Sequence, residues 1–241
     1  MRRSIPPTRQ SGASPPPDTD RERGLAYHAA GDLDRAIVAY SACIAARPTD
    51  AVAVYARGTA YQEQGDVPRA IADYDRALAL RPRWALVFHA RASAHDQADQ
   101  FERAIADYDA AIALRPTFAL AHNDRGTAHH RRGELERALA DFSRAIELRP
   151  DYALAYRNRG LVHDHRGEFA AAVADFSRAL ELEPGQVEVH FRRGFSLWRA
   201  GDASRARGDL ELAARHSPHA QIRDQARQTL AQMEALGGAG C

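Results

Sequence analysis

The chain has 241 residues, 45% of them hydrophobic, and its 33 basic residues balance 32 acidic ones to a net charge of +1. That balance excludes the clustered cationic excess of a broad nucleic-acid footprint, so nucleic acid is not an expected partner. Every basic residue is an arginine. A biased genome is the plainer explanation; a surface selected for planar bidentate donors is the other.

Residues 1–16 open with Arg2 and Arg3, but Ile5-Pro6-Pro7 and then Pro15-Pro16-Pro17 follow in place of an apolar run. This reads as a disordered leader, neither a secretory signal nor a membrane anchor. From there to residue 220 one 34-residue pattern recurs six times. Glycines recur at Gly24, Gly58, Gly126, Gly160 and Gly194, and again at Gly31, Gly65, Gly133, Gly167 and Gly201. Ala36, Ala70, Ala104, Ala138, Ala172 and Ala206 mark every copy, and Pro48, Pro82, Pro116, Pro150, Pro184 and Pro218 close it. A period of this length predicts a stacked solenoid whose units cannot bury their apolar faces alone.

Within copy two, the spacing predicts helices over Ala51–Glu63 and from Val67 to about Leu80, broken at Gly65 and stopped at Pro82. Val67, Ala70, Ile71, Tyr74, Ala77 and Leu78 lie on one helical stripe. Copy three departs from the pattern, with Ala92 for the first glycine and Asp99 for the second. Copy six is degenerate at Arg207, Gly208 and His216, where a further repeat would pack. A helix at 221–236, with Ile222, Ala226, Leu230, Met233 and Leu236 on one stripe, therefore reads as a cap, followed by a flexible tail at 237–241. Cys43 sits in a slot that other copies fill with alanine, and Cys241 ends the tail, so no disulfide framework is expected. A reducing compartment, by default the cytoplasm, fits this usage.

The series Gly58, Tyr61, Gly65, Ala70, Tyr74, Ala77, Pro82 resembles the tetratricopeptide repeat. The resemblance covers six copies, at 17–50, 51–84, 85–118, 119–152, 153–186 and 187–220. It implies an all-α, right-handed superhelical solenoid of six helical hairpins plus the cap. It also implies that the first helices line a concave groove for an extended peptide. The groove set would include Tyr55, His89, Asn123, His130, Arg157, Asn158, Phe191, Arg192, Phe195, Trp198 and Arg199. Phe191, Phe195 and Trp198 share a helical face where other copies are polar, with Arg157 and Arg192 beside them. They make a hot-spot candidate for an apolar side chain and a carboxylate, unless the cap covers them. In copies four to six, Asn158 and Arg192 match two slots of the clamp by which some family members grip acidic chaperone tails. Asn123, Thr127 and Glu188 fill the remaining slots, and Glu188 would repel a carboxylate.

Two further series call for explanation. Arg23, Arg57, Arg91, Arg125, Arg159 and Arg193 recur with Asp73, Asp107, Asp141, Asp175 and Asp209, Ala39 standing in copy one. They read as an internal ion-pair ladder, partly exposed and worth about 0–1 kcal/mol per pair. His95, His129 and His163 fill one slot in successive copies, with His89, His122, His130 and His165 nearby. They read as half-buried spacers replacing tyrosine, with a metal site or a pH switch as alternatives. No nucleophile–base pairing, phosphate-cradling loop or paired cysteine ligand stands out, so neither catalysis nor a cofactor or metal is expected. The resulting expectation is a protein-interaction scaffold with a protein or peptide partner, a second copy of the chain included. An accessory subunit of a separate enzyme, or a small-ligand or metal sensor using the histidines, are the alternatives.

Overall fold

The computed structural model describes residues 19–238; the leader at 1–16 and Cys241 lie outside them. Among the described residues there are thirteen α-helices and no strand. They form two compact units, Met1–Pro82 and Arg83–Cys241, each taken by itself below.

The first unit contains α1 (Thr19–Ala29), α2 (Leu33–Ala46), α3 (Ala51–Glu63) and α4 (Val67–Leu80). The helices pair as hairpins α1–α2 and α3–α4, and α2 packs on α3. The second unit continues with α5 (Ala85–Gln97), α6 (Phe101–Leu114), α7 (Ala119–Arg131), α8 (Leu135–Leu148), α9 (Ala153–His165), α10 (Phe169–Leu182), α11 (Val187–Arg199) and α12 (Ala203–His216). Here too consecutive helices pair, each second helix packs on the next first helix, and first helices touch one another across hairpins. The last helix, α13 (Ala220–Gly238), packs on α12 and α11, so it runs two residues further than its apolar stripe suggested.

Helix limits follow from local chemistry. Arg47, Arg81, Arg115 and Arg149 each precede a proline and are drawn out of the helical region, with φ between −136° and −142°. The ring of the following proline disfavours helical backbone in the residue before it, so the second helices stop there. At the other end, Asp32, Asp66 and Asp202 accept from the backbone N–H three residues on and cap α2, α4 and α12.

Close packing explains the first glycine series. A Cβ on Gly58 would come within 2.8 Å of Tyr74 Cε1, and one on Gly126 within 2.9 Å of Phe142 Cε1. Both rings are fully buried. Copy three uses Ala92 against Tyr108 instead, with both residues buried, so that hairpin has relaxed enough for one methyl group. Cys43 is buried, as its alanine-like slot implied.

The second series forms the turn between helices. Gly65 has φ +85°, and in copy three Asp99 adopts φ +56°, the only non-glycine residue with positive φ among those described. A Cβ makes that region costly for Asp99, although its Oδ1 recovers something by binding Arg131 Nη2 at 2.6 Å. Both side chains are well exposed, so the bridge is weak. Asp99→Gly is therefore expected to stabilise by about 0.5 kcal/mol net. Thermal denaturation should show a melting point roughly 1–2 °C higher. A lower value would mean that the Arg131 bridge outweighs the backbone strain.

Candidate functional site: the first-helix face and its aromatic end

The arginine–aspartate series closes into bidentate pairs. Arg57 Nε and Nη2 bind Asp73 at 2.8 and 2.7 Å, and Arg125 Nε and Nη2 bind Asp141 at 2.9 and 2.6 Å. Arg91–Asp107, Arg159–Asp175 and Arg193–Asp209 repeat the geometry. The expectation of partly exposed pairs needs correction, because all five aspartates are buried, Asp141 at 5% exposure. The arginines also reach back one hairpin. Arg57 Nη1 donates to Ser41 Oγ at 3.0 Å, Arg159 Nη1 to Ser143 Oγ at 3.1 Å, and Arg125 Nη1 to Asp109. One guanidinium thus fixes its own hairpin and ties it to the preceding second helix. Ser41 and Ser143 are parts of that tie.

The histidine slot has a structural partner in each of three copies. His95, His129 and His163 place Nδ1 at 2.9, 2.7 and 2.6 Å from Gln100, Glu134 and Glu168. Those residues stand at the N-caps of α6, α8 and α10 but make no capping bond of their own. In copies three to five a histidine–glutamate or histidine–glutamine bond therefore closes the hairpin, where copies one, two and six use a capping aspartate. The His129 hydrogen bond, together with Arg137, Arg132 and the His129 charge, holds Glu134 below the usual carboxylate range. Among the described residues no group of three His, Cys, Asp or Glu side chains is arranged to hold a metal ion.

The first helices of the second unit carry a polar row. His89 Nε2 meets Asp124 Oδ2 at 2.7 Å, Asn158 Nδ2 donates to Asn123 Oδ1 at 3.1 Å, and His130 Nε2 lies 2.9 Å from His165 Nδ1. Each pair spans 35 residues, from one first helix to the next. Burial, and then the neighbouring His165, hold the His130 imidazole below its ordinary value. Asn123 is 1% exposed, so it bridges helices and does not present its amide to solvent as expected. Burial pushes the Asp96 carboxyl up against the opposing pull of Arg131, and its Oδ1 has no hydrogen-bond partner. In the first unit, Tyr55 is half-buried with its ring 6.0 Å from that of Tyr74, and burial pushes its phenol up.

The aromatic end is only partly open. Phe191 is buried in the cluster that α13 completes with Ala226 and Met233, and Trp198 packs against the same cluster half-buried. Phe191 nevertheless lines the cleft described next, and Trp198 is half-buried, as Phe195 is. Phe195 remains accessible in part, 5.8 Å from the Trp198 ring centroid. With Arg192 it lines a cleft of about 280 Å³ whose other wall is Gln225, Gln228 and Gln232 of α13. Arg157 is not among the residues that line it.

Three arginines of this face differ from the ladder. Arg157, Arg192 and Arg199 have no carboxylate partner among the described residues. Arg157 Nε is buried without a hydrogen bond. Arg192 and Arg199 lie 5.8 Å from Phe191 and 5.0 Å from Phe169, measured to the ring centroids.

Stacked helical hairpins with an ion-pair ladder recurring from copy two onward and a variable first-helix face define a helical-repeat protein. Tetratricopeptide repeat models match residues 51–84, 89–153 and 126–191, and a TPR repeat model matches 24–65. The chain belongs to the tetratricopeptide repeat family. Among solved structures it is similar to that of MamA, at 28% identity over 68% of this chain and 96% of the other, with a TM-score of 0.63. YrrB, described as a TPR protein with an unusual peptide-binding site, is 19% identical over 78% of this chain and 97% of its own, with a TM-score of 0.64. PilW, described as a widely conserved type IV pilus biogenesis factor, is 17% identical over 90% of this chain and 100% of its own, with a TM-score of 0.78. The last two likenesses bear on fold alone. No curated protein sequence matches the chain.

Proposed function

We propose that the first-helix face of residues 83–241 binds an extended peptide or helix of a partner protein, and that the chain acts as a scaffold without chemistry of its own. The observation that carries this is the contrast between two sets of arginines. Every ladder arginine from Arg57 onward has a bidentate carboxylate, whereas Arg157, Arg192 and Arg199 on the first helices have none. Arg157 is half-buried with its Nε unbonded, and Arg192 and Arg199 stand exposed without a counter-charge, so a partner's carboxylates would gain charge-assisted hydrogen bonds there. A preformed helical face also binds with little ordering of its own backbone. YrrB, whose description names a peptide-binding site, lends the reading support by its fold. No helix among the described residues is long and apolar enough to cross a membrane, and the buried free thiol of Cys43 suits the reducing cytoplasm we assign to it. The sensor alternative finds no metal-ligand cluster to rest on among the described residues.

Hydrogen exchange with a captured partner tests the face directly. Protection is expected along α5, α7, α9 and α11, with α6, α8 and α10 unchanged. Protection confined to the second helices would remove the proposal.

A further inference from the structure

Copy one lacks the neighbour that later first helices have. Ala60 is fully buried against α2, and Ala128 against α6. Ala26 fills the same slot of α1 and is exposed, because no described helix precedes α1.

This uncovered edge also departs from the repeat at three positions of α2. Ala39 replaces the ladder aspartate. Val38 stands where the other copies have Ala72, Ala106, Ala140, Ala174 and Gly208. Ala42 stands where copies two, four and five have Arg76, Arg144 and Arg178. Together with Tyr27 of α1 they line an apolar cleft of about 400 Å³. Val38 is 70% exposed, the most exposed large apolar side chain among the described residues.

The rim of the cleft indicates what covers it. Arg23 and Arg35 stand beside Asp34, and Glu22 is one residue from Arg23. Arg23 pairs with Asp20, Arg35 lies 3.5 Å from Asp32, and Asp34 accepts from Gln64 at 2.6 Å. Such a rim has no net field to draw an acidic or a basic partner, but it can face itself without repulsion. Stacking on the last repeat of another chain is barred. There α13 packs over α11 and α12 and shows Asp224, Arg227 and Gln228 to solvent.

We propose that the α1–α2 edge is a two-fold interface between two copies of this chain, with Val38 near the axis. Ala39 and Ala42 let α2 approach its counterpart closely, while Val38 and Tyr27 fill the remaining volume. A self-complementary contact closes at two chains and builds no filament. One hairpin edge is small for an interface, so the dimer is weak, with a Kd on the order of 10 μM. The interface stands apart from the peptide-binding reading, since it uses neither α5 nor any later helix.

Sedimentation of the full chain from about 1 to 200 μM brackets that affinity. Wild type should pass from monomer to dimer and stop there. Val38→Asp sets two like charges across the axis and should weaken the dimer more than about tenfold. Ala42→Arg, which installs the residue that three other copies carry, should do the same. Both positions are exposed in the single chain, so neither change should move the melting point at 1 μM, where wild type is about nine-tenths monomer. Ala72→Asp, one repeat further on, should leave the dimer intact. A chain that stays monomeric, grows beyond two, or dimerises equally well with Val38→Asp overturns the interface. A monomer whose α1 and α2 lose exchange protection on Ile5→Asp would assign the edge to residues 1–16 instead, and so overturn it too.

Discussion

Arg125→Ala is expected to cost about 3 kcal/mol, toward the low end of what breaking a buried ion pair costs because the guanidinium keeps some contact with water. The substitution leaves the Asp141 carboxylate, 5% exposed, without its bidentate donor. It also cuts the tie to Asp109 on the preceding second helix. His122 Nδ1 at 3.6 Å and His129 Nε2 at 3.9 Å remain near Asp141, but neither reaches hydrogen-bond distance. Because repeat stability is close to a sum of hairpin and neighbour terms, the loss should appear as a broader denaturant transition as well as an earlier one. A midpoint unchanged from wild type would show that these pairs serve register without stability.

The same site predicts an acid limb. Burial pushes the Asp141 carboxyl up, but His122 and the Arg125 guanidinium outweigh it and hold the group below its usual range. A lowered folded-state value means that the stabilisation is complete above the unfolded value, about 3.9. It is lost as pH falls through the folded value. Wild type should therefore lose stability below about pH 4, whereas Asp141→Asn should begin lower and flatten that limb.

Gly160→Val is expected to be of similar size, about 3 kcal/mol, at the upper end for overpacking a filled core. A Cβ at Gly160 would already stand 2.8 Å from Phe176 Cε1, and Phe176 is fully buried with no room to withdraw. Valine adds two methyl groups on that side. Gly160→Ala should cost less, since Ala92 is accommodated against Tyr108 in copy three. Guanidinium denaturation of both variants measures the difference; a valine variant as stable as the alanine one would mean that the hairpin opens freely.

Legibility in the sequence followed a simple division. Copy two shows it: the breaks at Gly65 and Pro82 put its helices at Ala51–Glu63 and Val67–Leu80, and the structure has them there. Those limits depend on chemistry a few residues away, a left-handed turn residue and a proline that bars helix before it. The Arg125–Asp141 pairing was legible as recurrence, but its burial was not, because exposure depends on the neighbouring hairpin. The His129–Glu134 bond was open to the same reading, since His and Glu or Gln change together in copies three to five. It escaped because each series was weighed by itself.

The binding end shows where sequence spacing stops. Phe191, Phe195 and Trp198 do share a helical face, as i, i+4, i+7 spacing requires. Which of them a partner can reach depends on where α13 lies: the core that α13 completes takes in Phe191, and Trp198 packs half-buried against it. Its glutamines then become the second wall of the Phe195–Arg192 cleft.

By itself, then, the sequence determined the hairpin, its period, its caps and its family, because each follows from contacts repeated every 34 residues. Tertiary structure alone decided which arginines are neutralised and which aromatic stays open. How far the aromatics are buried turns on one unrepeated contact, the apolar stripe of α13 against α11 and α12, whose burial offers more than leaving Phe191 to water.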